Sequence, residues 1–143
     1  MWTIEVSRET FATKEQIWNL WADVANWNIW DSTVKSSELY GDFNVGTKGM
    51  VKLAVGPKSK FVITSCKPFE TFTNRSFLPL CNVDFTVTLV ETQNGLVVTY
   101  RQEMRGLMTF FFSTIFGKQM SKGISKGLED LIGYSENKMK QYE

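Results

Sequence analysis

From Gly106 to about Tyr142 the sequence carries one long helical repeat, and no other stretch limits the fold as much. At about 100° per residue, Phe116, Met120, Ile124, Leu128 and Leu131 fall within about 120° of one another, with Lys118, Lys122, Lys126 and Glu129 opposite. A helix of this length cannot hide such a stripe against itself, so its stability has to come from docking on a broad apolar surface. Gly117 and Gly127 fall inside the apolar face, where each costs about 1 kcal/mol of helix propensity relative to Ala. Either the helix approaches its partner closely there, or the missing side chains leave room for a ligand.

The preceding residues supply the surface. Trp2, Ile4 and Val6 alternate with Thr3, Glu5 and Ser7, a strand from Trp2 to about Glu9 and not the charged-then-apolar pattern of a signal peptide. Thr13 with Gln16 three residues on is a capping box, and Ile17, Leu20, Trp21 and Val24 follow at helical spacing. Asn26 to Asp31 is a compact turn or second short helix, whose Trp27 and Trp30 plug one end of a core or stack on a ligand at its rim. Beyond Val34, turn signals at Gly41, Gly46, Gly49, Gly56-Pro57, Pro68, Pro79 and Asn94-Gly95 separate short strands. These are one around Ser36 to Tyr40, then Lys48 to Val55, Lys60 to Lys67, Glu70 to Leu78, Val83 to Glu91 and Leu96 to Arg105. With the first strand that is about seven, joined as an antiparallel sheet.

Asn94-Gly95 predicts a two-residue type I′ turn, because both residues tolerate positive φ. That register sets Glu91 opposite Val98, Leu89 opposite Tyr100, Val87 opposite Gln102 and Phe85 opposite Met104 on one mostly apolar face. The other face pairs Thr88 with Arg101, Thr86 with Glu103 and Asp84 with Arg105. The apolar face should meet the last helix, which leaves Tyr100 and Gln102 as inward polar groups in need of a partner. Helices on one face of such a sheet make a single α+β domain over residues 1–143.

Composition removes several function classes. A net charge of +1 with dispersed lysines and arginines predicts no nucleic-acid partner. The longest strongly apolar run, Gly106 to Phe116, is far short of the roughly 18 residues a spanning helix needs, so no stable membrane insertion is expected. Histidine is absent, which rules out Ser-His-Asp and Cys-His nucleophile systems, His-ligated zinc and an imidazole base. Cys66 and Cys81 do not make a metal site, and without a secretory signal they read as reduced thiols of a cytoplasmic, cofactor-free protein.

The order and spacing of several segments resemble the polyketide cyclase/dehydrase and lipid-transport branch of the START-like (helix-grip, Bet v 1-like, SRPBCC) superfamily. They are Ile17-Trp18-Asn19-Leu20-Trp21-Ala22-Asp23-Val24 with Asn26-Trp27 and Trp30-Asp31; Gly41-Asp42-Phe43 with Gly46-Thr47-Lys48-Gly49; Phe61-Val62-Ile63-Thr64 with Pro68; Leu78-Pro79; and Gly106 leading into the last helix. The resemblance implies a curved antiparallel sheet gripping the C-terminal helix around an apolar cavity used for hydrophobic small molecules. It does not decide between carriers and cyclases.

The expected ligand-binding residues are Trp27, Val83, Phe85, Val87, Leu89, Tyr100, Gln102, Met104, Met120, Ile124 and Gly127, around a small hydrophobic or amphipathic molecule. For a cyclase or dehydratase the candidates are Asp31, Glu103, Tyr100 and Cys81, with Arg75 or Arg101 at an enolate; Glu103 and Arg101 point away from the helix, which leans the reading away from catalysis. Gly106 to Phe112 is apolar all round, so Phe110 to Phe112 cover a cavity mouth, touch a membrane, or form an interface in a monomer or weak homodimer.

Overall fold

The computed structural model describes residues 1–56 and 58–140; Pro57 of the expected turn and the expected helix end near Tyr142 lie outside them. The chain runs β1 (Trp2–Thr10), α1 (Lys14–Ala22), a 3₁₀ turn (Val24–Asn26), α2 (Trp27–Trp30), β2 (Val34–Leu39), β3 (Lys48–Leu53), β4 (Lys58–Lys67), β5 (Thr71–Leu78), β6 (Cys81–Thr92), β7 (Gly95–Arg105) and α3 (Thr109–Lys140). The strands form one curled, antiparallel half-barrel in the order β1-β7-β6-β5-β4-β3-β2, and α3 lies in its concave face. The α1–α2 segment carries the chain from one sheet edge to the other, because β1 and β2 are the two free edges.

Thr13 caps α1 by accepting the Gln16 backbone N–H at 3.1 Å. The reciprocal arm of the expected capping box is used differently: Gln16 Nε2 donates to the Ser135 carbonyl at 2.8 Å and ties α1 to the far end of α3. Thr10 Oγ1 donates to Glu136 at 2.8 Å, and the Ser32 backbone N–H donates to Asp130 at 2.9 Å. With Leu128 and Leu131 fully buried, the C-terminal half of α3 is bolted to β1, α1 and the loop after α2.

Three expectations are corrected. The β6–β7 hairpin is two residues out of the expected register: Gln93 and Asn94 make the turn, and Leu89 faces Val98, Val87 faces Tyr100, Phe85 faces Gln102 and Val83 faces Met104. Asn94 is not in the left-handed region; Gly95 is, at φ 133°, where a Cβ would stand 2.7 Å from the Thr10 carbonyl. That glycine lets the end of β1 pass. Because a slip of two keeps side-chain parity, the expected faces survive while the charge pairing does not. Asp84 stands opposite Glu103, not Arg105. Each acid has its own cation: Arg75 grips Asp84 at 2.8 and 3.1 Å, and Arg101 and Arg105 hold Glu103 at 2.6 and 2.7 Å.

The last helix begins at Thr109, three residues after Gly106. Gly106 sits at φ 124° with its α-carbon against the Leu80 carbonyl, leaving no space for a side chain, and Met108 N–H donates to that carbonyl at 3.3 Å. Finally, Phe116 is exposed where the stripe placed it inside. The buried set Gly117, Ile124, Gly127, Leu128, Leu131 and Ser135 centres roughly 80° away from it at 100° per residue, and a Cβ at Gly117 would rest 3.4 Å from the Trp2 ring.

Gly123 and Gly133 have no neighbouring atom within 4 Å of a built Cβ. Each replaced by Ala should raise unfolding free energy by about 1 kcal/mol, read as a higher denaturant midpoint at constant m-value. An unchanged or lowered midpoint would mean that these positions are not free helix surface.

Candidate functional site

Parity on the ladder puts Ile4, Gln102, Phe85, Asn74 and Ile63 in one row across the concave face, on β1, β7, β6, β5 and β4 respectively. This row falls where the core divides. Val83 and Met104 pack with Cys81, Trp2, Leu78, Met108, Phe112 and Met120 under the start of α3. Trp27, Val87, Leu89, Tyr100 and Ile124 belong to the larger cluster under the middle and end of α3. Ile4 and Phe85 pack at the edge of the larger cluster and, like Gln102, are only half-buried; on α3, Met120 packs on the smaller cluster and Ile124, one turn on, belongs to the larger.

Trp21 is the hub of the larger cluster. Its ring centroid lies 5.0 Å from Trp30 and Phe72, 5.1 Å from Trp27, and 5.6 Å from Phe85 and Tyr100. Trp27 Nε1 donates to the Trp21 carbonyl at 2.9 Å and its ring stacks on Phe61, so the polar edge of Trp27 is already used. Phe85 and Tyr100 meet edge to face at 5.1 Å.

Several polar atoms in this region have no partner. Trp21 Nε1, Trp30 Nε1, Asn74 Oδ1, Tyr100 Oη and Gln102 Oε1 are buried without a hydrogen bond, as is Ser135 Oγ farther along α3. Leaving such a group unmet costs about 1–3 kcal/mol. The Trp21 N–H is near enough to Tyr100 to favour its ionised form slightly, but the two fall short of hydrogen-bond geometry. Burial pushes the Tyr100 hydroxyl well above its usual pKa, and the charge of Asp31 pushes it further.

Asp31 is the one buried charged side chain among the described residues. Its Oδ1 accepts the Thr33 backbone N–H at 2.9 Å and the Thr33 hydroxyl at 2.6 Å. Its other oxygen lies 3.2 Å from where a Gly127 Cβ would stand, so Gly127 is a close approach of α3 to Asp31. Burial raises the Asp31 pKa and the neighbouring Asp130 raises it further, against the pull of the Thr33 bonds and Lys126. A raised folded-state pKa favours folding fully below the unfolded pKa, and that benefit is lost as pH rises through the folded value. Asp31→Asn keeps the acceptor for Thr33, so it should flatten the decline in stability as pH climbs from about 4. Denaturant midpoints across pH check this, and an equal slope in both proteins would show that Asp31 is not its source.

Of the catalytic candidates, Asp31 and Tyr100 are near enough for the charge of one to act on the other, but Cys81 packs in the smaller cluster and the arginines are turned away. Arg75 and Arg101 are committed to Asp84 and Glu103 on the convex face, with Asp84 and Glu103 themselves facing outward. Burial raises the pKa of Cys66, and both cysteines are free thiols. Among the described residues no three carboxylates or thiols group as a metal site would require, and no helix is long and apolar enough to cross a membrane. A separate open groove of about 230 Å³ lies on the outer face of β2, β3 and β4, lined by Ser36, Ser37, Glu38, Met50, Lys52 and Lys58. None of the unpartnered buried atoms belongs to its lining.

Sequence reasoning placed Tyr100 and Gln102 inward and offered Trp30 as a core plug or a ligand-stacking ring, but passed over Asn74 and Trp21 as partners of the same region. Asn74 was recoverable: Phe72, Asn74 and Ser76 share a parity on β5, so an inward Phe72 carries Asn74 in with it. Trp21 reads from sequence as core and Trp30 as core or ligand rim, and nothing in their spacing shows that their N–H groups lack acceptors.

A curled antiparallel sheet closed over one long terminal helix, with polar atoms held on an otherwise apolar concave face, defines a helix-grip domain. The chain belongs to the polyketide cyclase / dehydrase and lipid transport family, whose model matches residues 1–136. Solved structures agree in fold. One domain of the di-domain ARO/CYC StfQ from the steffimycin biosynthetic pathway superposes with a TM-score of 0.80 at 11% identity, covering 96% of this chain and 51% of that one. Norcoclaurine synthase of Thalictrum flavum, a point mutant with a transition-state analogue, gives 0.74 at 16%, covering 99% and 96%. A Chromobacterium violaceum protein gives 0.68 at 21%, covering 94% and 96%. None of the curated proteins matches the chain in sequence.

Proposed function

We propose that this domain binds a small hydrophobic or amphipathic molecule between the concave face of the sheet and α3, as a carrier or sensor. The observation that supports it most directly is the set of buried, unpartnered polar atoms on an apolar face, at the break between two core clusters. Apolar burial at about 25 cal/mol per Å² would supply most of the affinity, and the polar atoms the orientation. The outward ion pairs of Arg75 and Arg101 favour binding over cyclase chemistry, since an enolate on the concave face would find no cation. Native mass spectrometry of gently purified protein, with displacement of the neutral fluorophore N-phenyl-1-naphthylamine, tests the reading. Failure to take up any apolar probe would end it.

A second reading concerns the start of α3, where Leu107, Phe110, Phe111 and Ile115 are exposed, Phe110 at 83%. Lys118 and Lys122 continue the Phe111 and Ile115 face, and neither has an ion-pair partner among the described residues. This face supports contact with an anionic lipid surface more than self-association, because two copies would oppose their lysines. Phe111→Glu should abolish sedimentation with phosphatidylglycerol vesicles and leave the protein monomeric; loss of a dimer on the same substitution would favour self-association instead.

A further inference from the structure

The geometry points to a ligand that is electrically neutral and carries both a hydrogen-bond donor and an acceptor, such as a hydroxyl, on an apolar body; this rests on the binding reading above. Asn74 and Gln102 flank Phe85 in the same cross-sheet row, two strands or roughly 10 Å apart. The Phe85 ring is half-buried between them and forms an apolar floor, with Trp21 and Tyr100 packed on it. Two acceptor oxygens, a hydroxyl that can act either way, and the donor-only N–H of Trp21 are left unmet there, with the N–H of Trp30 also unmet one ring beyond Trp21. Turning either amide over exchanges its oxygen for an NH₂ and leaves donors and acceptors mixed. A ligand offering only acceptors would leave the amide oxygens unmet, and a hydrocarbon would leave all five atoms so.

Charge is excluded by what surrounds the row. No Lys or Arg is buried among the described residues, so a carboxylate or phosphate entering here would lose its hydration without gaining a counter-ion. The one buried charge nearby is the Asp31 carboxylate, which repels an anion. A cation would meet Asp31, but that carboxylate has one oxygen spent on Thr33 and the other against Gly127, so it does not front the row.

Ligands matched in a twelve-carbon chain test this at pH 8 in the full chain. Dodecanol, dodecanoate, methyl dodecanoate and dodecylamine would each compete with bound N-phenyl-1-naphthylamine. The alcohol should displace the probe at a concentration lower than the carboxylate and the ammonium by at least about tenfold, with the acceptor-only ester between. Tyr100→Phe, which keeps the ring that packs on Phe85, should narrow the gap between alcohol and ester, read as the ratio of their displacement concentrations in that same variant. Dodecanoate or dodecylamine equal to or better than dodecanol overturns the inference while leaving the binding reading intact. A protein that takes up no probe at all ends both.

Discussion

Trp21→Ala should lower the unfolding free energy by about 3–5 kcal/mol, the range for removing a large aromatic side chain from a core. Trp21 sits within ring contact of Trp27, Trp30, Phe72, Phe85 and Tyr100, and it is 5% exposed. These neighbours come from α2, β5, β6 and β7, so the void left behind cannot close by the movement of one element. Against a typical domain stability of about 5–15 kcal/mol the variant should be marginal at 37 °C. Trp21→Phe keeps much of the contact area and removes an N–H that has no acceptor, so its loss should be well below that of Ala. Urea unfolding followed by circular dichroism measures both. A loss under about 1 kcal/mol for the alanine variant would show that the cluster does not depend on its central ring.

The second large effect runs in the opposite direction. Asn74→Leu with Gln102→Met should make the ligand-free protein more stable, by about 1–3 kcal/mol for each unmet amide oxygen removed. Both replacements are close in shape to the residues they replace, and both lie on the apolar concave face. The same protein should lose its preference for dodecanol over the methyl ester while still taking up the apolar probe. Stability gained together with discrimination lost is the signature of groups retained for recognition. A destabilised double variant would instead show that the amides serve the fold itself, through water or through each other, and would remove the polar part of the binding argument.

Much of the architecture follows from local rules. The alternation of Trp2, Ile4 and Val6, the Thr13 cap and the parity of β6 and β7 each depend on residues near one another in the chain, and each sets an element or a face. Parity is robust because a slip of two residues leaves it unchanged, which is why the wrong turn at Asn94-Gly95 still gave the right inner face. Pairing partners are not robust to such a slip. Asp84 lost Arg105 and was met by Arg75 from β5, a neighbour that the hairpin alone cannot reveal.

The sequence by itself determined that a long helix needs a sheet to dock on, which side chains of that sheet face it, and that no imidazole chemistry takes place there. Only the tertiary structure decided how the helix is rotated, because Gly117 against Trp2 and Gly127 against Asp31 are distances between remote segments, and they turn Phe116 out to solvent. It also decided which polar atoms go unmet. Whether Gln102, Asn74 or Trp21 finds a partner depends on angles and distances summed over β5, β7 and α1, and residue spacing along one chain carries no information about those.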